Sequence, residues 1–270
     1  SRQQYMRNYV DKFHAPYERT LNFALRRYFR GRAARTAKRL AEALPHKKSM
    51  NDIVTRADFG FGFLLEILAS YSESVLLRST VRPIFEKMVN QSIRQALRDA
   101  KTTGEVLSPE WMRQQAETQV ENMIAHLEKH TADDVLKTVE SGLDANKSIA
   151  EMQNDLIQTH SFSASRALRV ARTETTKAVN TSHRKTYEEL ANRGVEMEIV
   201  WLAAPGARDS HAAMDGQKVQ PGEQFVVPTN GGKHAGQKTS QPGGFGKAAL
   251  DINCRCVIST QIKQPKRKLP

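Results

Sequence analysis

Ser165-Arg166-Ala167-Leu168-Arg169-Val170-Ala171-Arg172-Thr173-Glu174-Thr175 is the stretch on which the reading of this chain turns. Ser163 precedes it as a helix N-cap, with a side-chain oxygen for an otherwise unpaired first-turn amide, and Gly194 follows as a stop. Helical spacing puts Ala167, Ala171, Glu174, Ala178 and Ser182 on one face. A carboxylate in a stripe of small residues sits where another backbone can come close, and a buried charge without a partner is costly. The expectation is a structural tie from Glu174 to the C-terminal region, and a catalytic carboxylate is the sharper alternative. Arg172, two residues away, faces elsewhere and cannot pair with it directly.

After Gly194 the apolar period drops from helical to two. Met197, Ile199 and Trp201 alternate with their neighbours, which predicts a strand. Arg208 to Gly216 reads as a short helical segment closed by the Asp215-Gly216 turn, and Phe225-Val226-Val227 as a second short strand. Residues 229–246 are rich in Gly, Ser, Thr, Gln and Pro and predict a long surface loop. Ile252, Cys254, Cys256 and Ile258 alternate as a last strand. A basic extension follows with Lys263, Lys266, Arg267 and Lys268.

Upstream the sequence reads as helical. Residues 19–44 carry Leu21, Leu25, Tyr28, Ala33, Ala37, Leu40 and Leu44 at helical spacing, with Pro45 as a stop. Arg26, Arg27, Arg30, Arg32, Arg35, Lys38 and Arg39 crowd the same stretch around most of its circumference. This is a solvated helix or one facing DNA or an acidic groove. Residues 58–97 offer a broad apolar face from Phe63 and Leu64 to Met88 and Val89, which Pro83 should break or kink. Ser108-Pro109-Glu110 starts a further helix, Thr131 to Asp134 resembles another start ended by Gly142, and Ser148 with Glu151 fits a capping box. These signals predict a run of short helices.

Hydrophobic residues at 39% and charged residues at 26% suit a core-forming chain rather than a disordered one. No apolar run reaches the roughly 20 residues of a membrane helix, so no membrane partner is expected. The net charge of +12 favours polyanions. Candidate DNA contacts are Arg26, Arg27, Arg30 and Arg35 in the first basic helix, and Lys266, Arg267 and Lys268 in the tail. Two cysteines make no disulfide framework and fit a reducing compartment.

The motif Arg-Ala-x-x-x-Ala-Arg-Thr-Glu-Thr, with Arg172, Thr173 and Glu174 and then Asn180, resembles the helical signature of the phage Mu F-like family of head-morphogenesis proteins. The order that follows resembles it too: Trp201, Arg208-Asp209, His211, Met214-Asp215-Gly216, Pro221-Gly222-Glu223, Phe225 and Asn253-Cys254-Arg255-Cys256. The resemblance covers roughly residues 144–258 and is silent on the first hundred. It implies a minor head protein of a tailed double-stranded DNA phage, in the virion inside the head near the portal vertex and in the host cytoplasm during assembly. Portal protein, major capsid protein and double-stranded DNA are the implied partners, with self-association in the virion, in prohead assembly, DNA packaging or ejection. Some relatives carry a fused toxin or ADP-ribosyltransferase domain. With twelve residues after Ile258, none is expected here.

The expected fold is mainly α with a small α+β C-terminal module. Residues 1–104 would be a basic helical region and 105–262 the Mu F-like domain, with helices over 105–194 and the module over 195–262. Residues 263–270 would be the basic tail. No catalytic residue and no cofactor is expected, with one exception. His211, Cys254 and Cys256 offer imidazole and thiol donors for a structural zinc. A regular strand argues against it, because alternate side chains lie roughly 6.5 Å apart at about 3.3 Å rise per residue. The plainer alternative is two small buried hydrophobes. An enzyme acting on nucleic acid or NAD, using Glu174 and His211 with Arg208 and Glu223, is the functional alternative.

Overall fold

The computed structural model describes residues 2–43, 49, 51–53 and 67–262. Pro45, Leu44, Phe63, Leu64 and the basic tail with Lys263, Lys266, Arg267 and Lys268 lie outside the described residues. The fold is mainly α with a small α+β portion near the C-terminus, as the sequence patterns predict. Helices are α1 (Arg2–Tyr9), α2 (Ala15–Glu42), α3 (Ser70–Asp99), α4 (Pro109–Asp144), α5 (Ile149–Gln158) and α6 (Ala164–Asn192), with a π-helical turn at Val10–His14. The α+β portion adds β1 (Met197–Leu202), α7 (Asp209–Ala212), β2 (Lys218–Val219), β3 (Phe225–Val226), β4 (Lys238–Thr239), α8 (Ala248–Asp251) and β5 (Val257–Ile262).

The chain divides into two compact units. One comprises Ser1–Thr20, Ile84–Gln119 and Arg169–Pro270, and the other Leu21–Pro83 and Val120–Leu168. The elements of the second unit among its described residues are helices, with one isolated bridge between Ile53 and Ser148. Its core gathers Leu40, Ile67, Val135, Val139, Ile149, Met152 and Leu156. The capping box is formed as expected, with Ser148 accepting from Glu151 N and the Glu151 carboxylate accepting from Ser148 N.

Two helix expectations are corrected. Residues 109–144 form one helix rather than two. Thr131 does not cap a new start, because its hydroxyl donates back to Leu127 O within the helix at 2.7 Å and accepts from Arg166. Helix α3 runs through Pro83 without a break. Leu77, Val81, Phe85 and Met88 on either side of the proline are fully buried, and that packing outweighs one missing amide donor.

The arginines of α2 are not evenly solvated. Arg32 is 1% exposed and forks onto Glu128, while Arg35 and Arg39 converge on buried Glu73 at 2.7 and 2.9 Å. Burial works to raise the Glu73 carboxyl, but the two guanidinium hydrogen bonds prevail and hold it below its ordinary value. Arg166 of α6 lies over the Phe29 ring at 5.4 Å and donates to Ser161 O and Leu127 O.

In the first unit, β1 is the centre of an antiparallel sheet of order β2-β1-β5, with Trp201 opposite Ile258 and Ile199 opposite both Val219 and Thr260. The 229–246 segment is not an irregular loop. It contains a 3-10 helix at Thr229–His234, and β4 pairs with β3 through Phe225 and Thr239. Trp201 is fully buried, edge-on to Phe225 at 5.4 Å and to Phe245 at 6.2 Å. Aromatic rings in this arrangement contribute beyond their buried area.

Candidate functional site

Helix α6 begins and ends as its caps dictate. Ser163 Oγ accepts from Arg166 N at 3.2 Å, and Gly194 has a φ of 88°, the left-handed conformation that ends a helix. Between them, many polar residues are buried, which is tolerable only if each finds a partner. Several donate to the carbonyl one turn back: Thr173 to Arg169, Asn180 to Thr176, Ser182 to Ala178 and Thr186 to Ser182.

One face of α6 does more. Thr173 Oγ1 accepts from Asn253 N at 3.1 Å, and the Thr176 hydroxyl donates to Cys254 O. Asn180 Nδ2 donates to Cys256 O at 3.0 Å, and its Oδ1 accepts from Ile258 N at 2.9 Å. His183 Nδ1 pairs with Ile258 O at 3.2 Å, and Nε2 with the Tyr9 hydroxyl at 3.1 Å. Positions 173, 176, 180 and 183 share a helix face. Their side chains thus take the place of a neighbouring strand for residues 253–258.

That ladder corrects the reading of the cysteines. Strand β5 starts at Val257, so Cys254 and Cys256 lie in the bent segment before it. Asn253 enters this segment with a φ of 60°. The pleated alternation that would hold the sulfurs apart is absent. Instead His211 Nδ1 lies 3.4 Å from Cys254 Sγ and 3.6 Å from Cys256 Sγ, and the three donor atoms fall within 4.8 Å of one another. All three residues are buried. The His211 ring stacks on Phe245 at 5.5 Å and meets the edge of Trp201 at 5.5 Å. Hydrogen bonding between the thiols, with burial second, holds Cys254 well above its ordinary value, and the same bond holds Cys256 below. Among the described residues this trio is the group with donor atoms close enough to hold a metal.

The other signature residues have local tasks. Glu174 is 6% exposed and meets Lys177 at 3.2 Å, one turn on. Arg172 reaches Glu18 at 3.7 Å, and Arg255 donates to the same carboxylate at 2.8 Å. Arg208 donates to the carbonyls of Ala249 and Ile252, and Asp209 opens α7. Asp215 Oδ1 accepts from Ala203 N at 2.9 Å, and Gly216 turns the chain with a φ of 79° while donating to Trp201 O at 2.8 Å. The residues of the enzyme alternative go to different partners. Glu174 turns to Lys177, Glu223 caps Gln220 N, Arg208 holds carbonyls and His211 faces the thiols.

An open pocket of about 600 Å³ beside α7 is lined by Arg208, Asp209, Lys233 and His234. Gly231 also lines it, and a β-carbon there would come within 2.4 Å of Val227 Cγ1, so a larger residue would force Val227 to shift. Of the candidate DNA contacts in α2, Arg26, Arg27 and Arg30 are exposed, and Arg35 is committed to Glu73. Sequence reasoning missed Thr176, His183 and Phe245. The signal for His183 was its spacing from Asn180 and Tyr187 on one face of α6. Phe245, inside a polar, glycine-rich run, left none.

Helix α6 thus pins a compact α+β module through its own signature residues. Residues 129–259, just under half of the chain, match the family described as Phage Mu protein F like protein, and this segment is similar to that family. The chain is also similar to NAD(+)--arginine ADP-ribosyltransferase EFV of Enterococcus faecalis, 32% identical over 127 residues. That similarity takes in 46% of this chain and spans 25% of the length of the relative. No solved structure matches the chain. No helix among the described residues is long and apolar enough to cross a membrane.

Proposed function

We propose that this chain is a minor head protein of a tailed double-stranded DNA bacteriophage, held inside the head near the portal vertex. It binds portal or the inner capsid and acts in prohead assembly, packaging or ejection of DNA. The observation that carries this reading is the use of the signature residues. Thr173, Asn180, Asp215 and Gly216 all satisfy backbone groups of the module they define. A family signature devoted to internal ties leaves function to the surfaces the module presents. Exposed Arg26, Arg27 and Arg30 supply cations for packaged DNA.

The test is co-purification of the full chain with its phage's portal and major capsid proteins at low and moderate salt. Retention by either supports the reading, and retention by neither at both salts sinks it. The similarity to a protein named as an ADP-ribosyltransferase motivates a second reading, NAD-dependent transfer to arginine. It requires label transfer from NAD to an arginine substrate that is lost in Glu174→Ala and His211→Ala variants that remain folded.

A further inference from the structure

We propose that His211 Nδ1, Cys254 Sγ and Cys256 Sγ bind one zinc ion that staples α7 to the segment preceding β5. The inference stands apart from the head-protein reading and does not depend on it.

Zinc takes thiolate sulfur at about 2.3 Å and imidazole nitrogen at about 2.0–2.1 Å in tetrahedral array. Those lengths and the tetrahedral angle put a sulfur and a nitrogen about 3.6 Å apart along one edge. The two sulfur–nitrogen separations are 3.4 and 3.6 Å. Both sulfurs also fall inside the 4.8 Å span that contains all three donor atoms. Cysteines at i and i+2 do not reach this arrangement in a pleated strand. Here the left-handed Asn253 and the hydrogen bonds from Thr176 and Asn180 to the cysteine carbonyls impose it.

The three donors are preorganised. Phe245 stacks on the imidazole with 19° between the planes, and Trp201 meets it edge-on, so the ring presents Nδ1 to the sulfurs. His211 and Cys256 are each 1% exposed and Cys254 3%, so the donors are already withdrawn from water. The other ring nitrogen, Nε2, is buried without a hydrogen-bond partner among the described residues. It is free to keep the proton when Nδ1 ligates. A set of two thiolates and one imidazole is soft and selects zinc over magnesium or calcium. Among the described residues the group consists of these three side chains, and a tetrahedral zinc leaves one further position for a donor outside it.

The experiment uses the full chain, purified without chelator and exchanged against zinc, then against cobalt(II). Metal analysis and native mass spectrometry should give one zinc per chain. Cobalt should give the visible bands of a tetrahedral site with thiolate-to-metal charge transfer scaled for two sulfurs. Cys254→Ser and Cys256→Ser should each remove stoichiometric zinc. If either variant does not fold, the wild-type cobalt spectrum decides, since it reports the thiolate count without any substitution. Substoichiometric zinc with no charge-transfer band overturns the proposal. Full zinc binding in both folded variants, or copper or iron bound in place of zinc, overturns it too.

Discussion

The two compact units bury polar side chains by opposite means. In the helical unit the ties between α2 and its neighbours are charged. Arg32 forks onto Glu128, and Arg35 and Arg39 share Glu73. In the unit containing the sheet the corresponding ties are largely neutral, from Thr173, Thr176, Asn180 and His183 to the backbone of residues 253–258. Ion pairs join one helix to another and leave both backbones untouched. Neutral side chains facing peptide groups can replace a missing strand. A segment with no neighbouring strand on one side needs the second device, and that is where the Mu F-like signature is concentrated.

The largest effect expected from breaking this contrast is in the sheet. Trp201→Ala empties the middle of an aromatic cluster and should cost about 3–5 kcal/mol in urea unfolding. Next is the charged tie. Arg32→Met leaves Glu128 without its guanidinium, and because that carboxylate is 15% exposed the loss should fall at the low end of the roughly 3–5 kcal/mol that breaking a buried pair costs. A loss below measurement error in either variant would show that the residue is not a tie.

Acid sharpens the comparison further. His14 is fully buried, faces His183 and Arg255, and has its pKa lowered from 6.5 to about 3, chiefly by burial. His183 is lowered as well, again by burial first. A lowered histidine stays neutral in the fold while the unfolded chain takes up the proton. Its stabilisation is complete above pH 6.5 and lost as pH falls toward about 3. Between pH 7 and pH 5, His14 alone should account for about 2 kcal/mol. The Glu73 contribution is lost only lower, as pH falls below 4.5 through its lowered folded value. His14→Phe should therefore reduce the pH slope of stability from about pH 6.5 down to about pH 3, with His183 supplying part of the slope that remains. An unchanged slope would contradict the assignment.

The smallest effect on stability is expected in α2. Replacing Arg26, Arg27 and Arg30 with alanine should leave stability within about 0.5 kcal/mol per site. If these side chains contact DNA phosphates, the slope of log affinity against log salt should fall by about 0.9 for each contact removed. Arg35→Ala should show the reverse, a stability loss with little change in slope.

Much of the fold was legible because local chemistry decided it. Ser148 with Glu151, Ser163 and Gly194 mark their helix ends by caps and turns that need only neighbouring residues. The uninterrupted α4 and α3 were not legible, since tertiary packing around Thr131 and Pro83 overrides signals that locally predict a start and a break. At the site, the sequence brought His211, Cys254 and Cys256 into one group, but strand periodicity placed the sulfurs too far apart. The bend that brings them together depends on Asn180 and Thr176, some 76 to 78 residues away along the chain. The pairing of Arg35 with Glu73, 38 residues apart, was hidden for the same reason.

The account rests on the signature being a scaffold, and amide hydrogen exchange at Ile258 tests that most directly. Its N–H donates to Asn180 Oδ1. In Asn180→Ala the Ile258 amide should lose protection by the equivalent of about 1–3 kcal/mol, the cost of a buried unpaired group. Amides of the helix carrying Arg32 should keep theirs. Unchanged protection at Ile258 in a folded Asn180→Ala variant would contradict the claim that α6 side chains hold the module together.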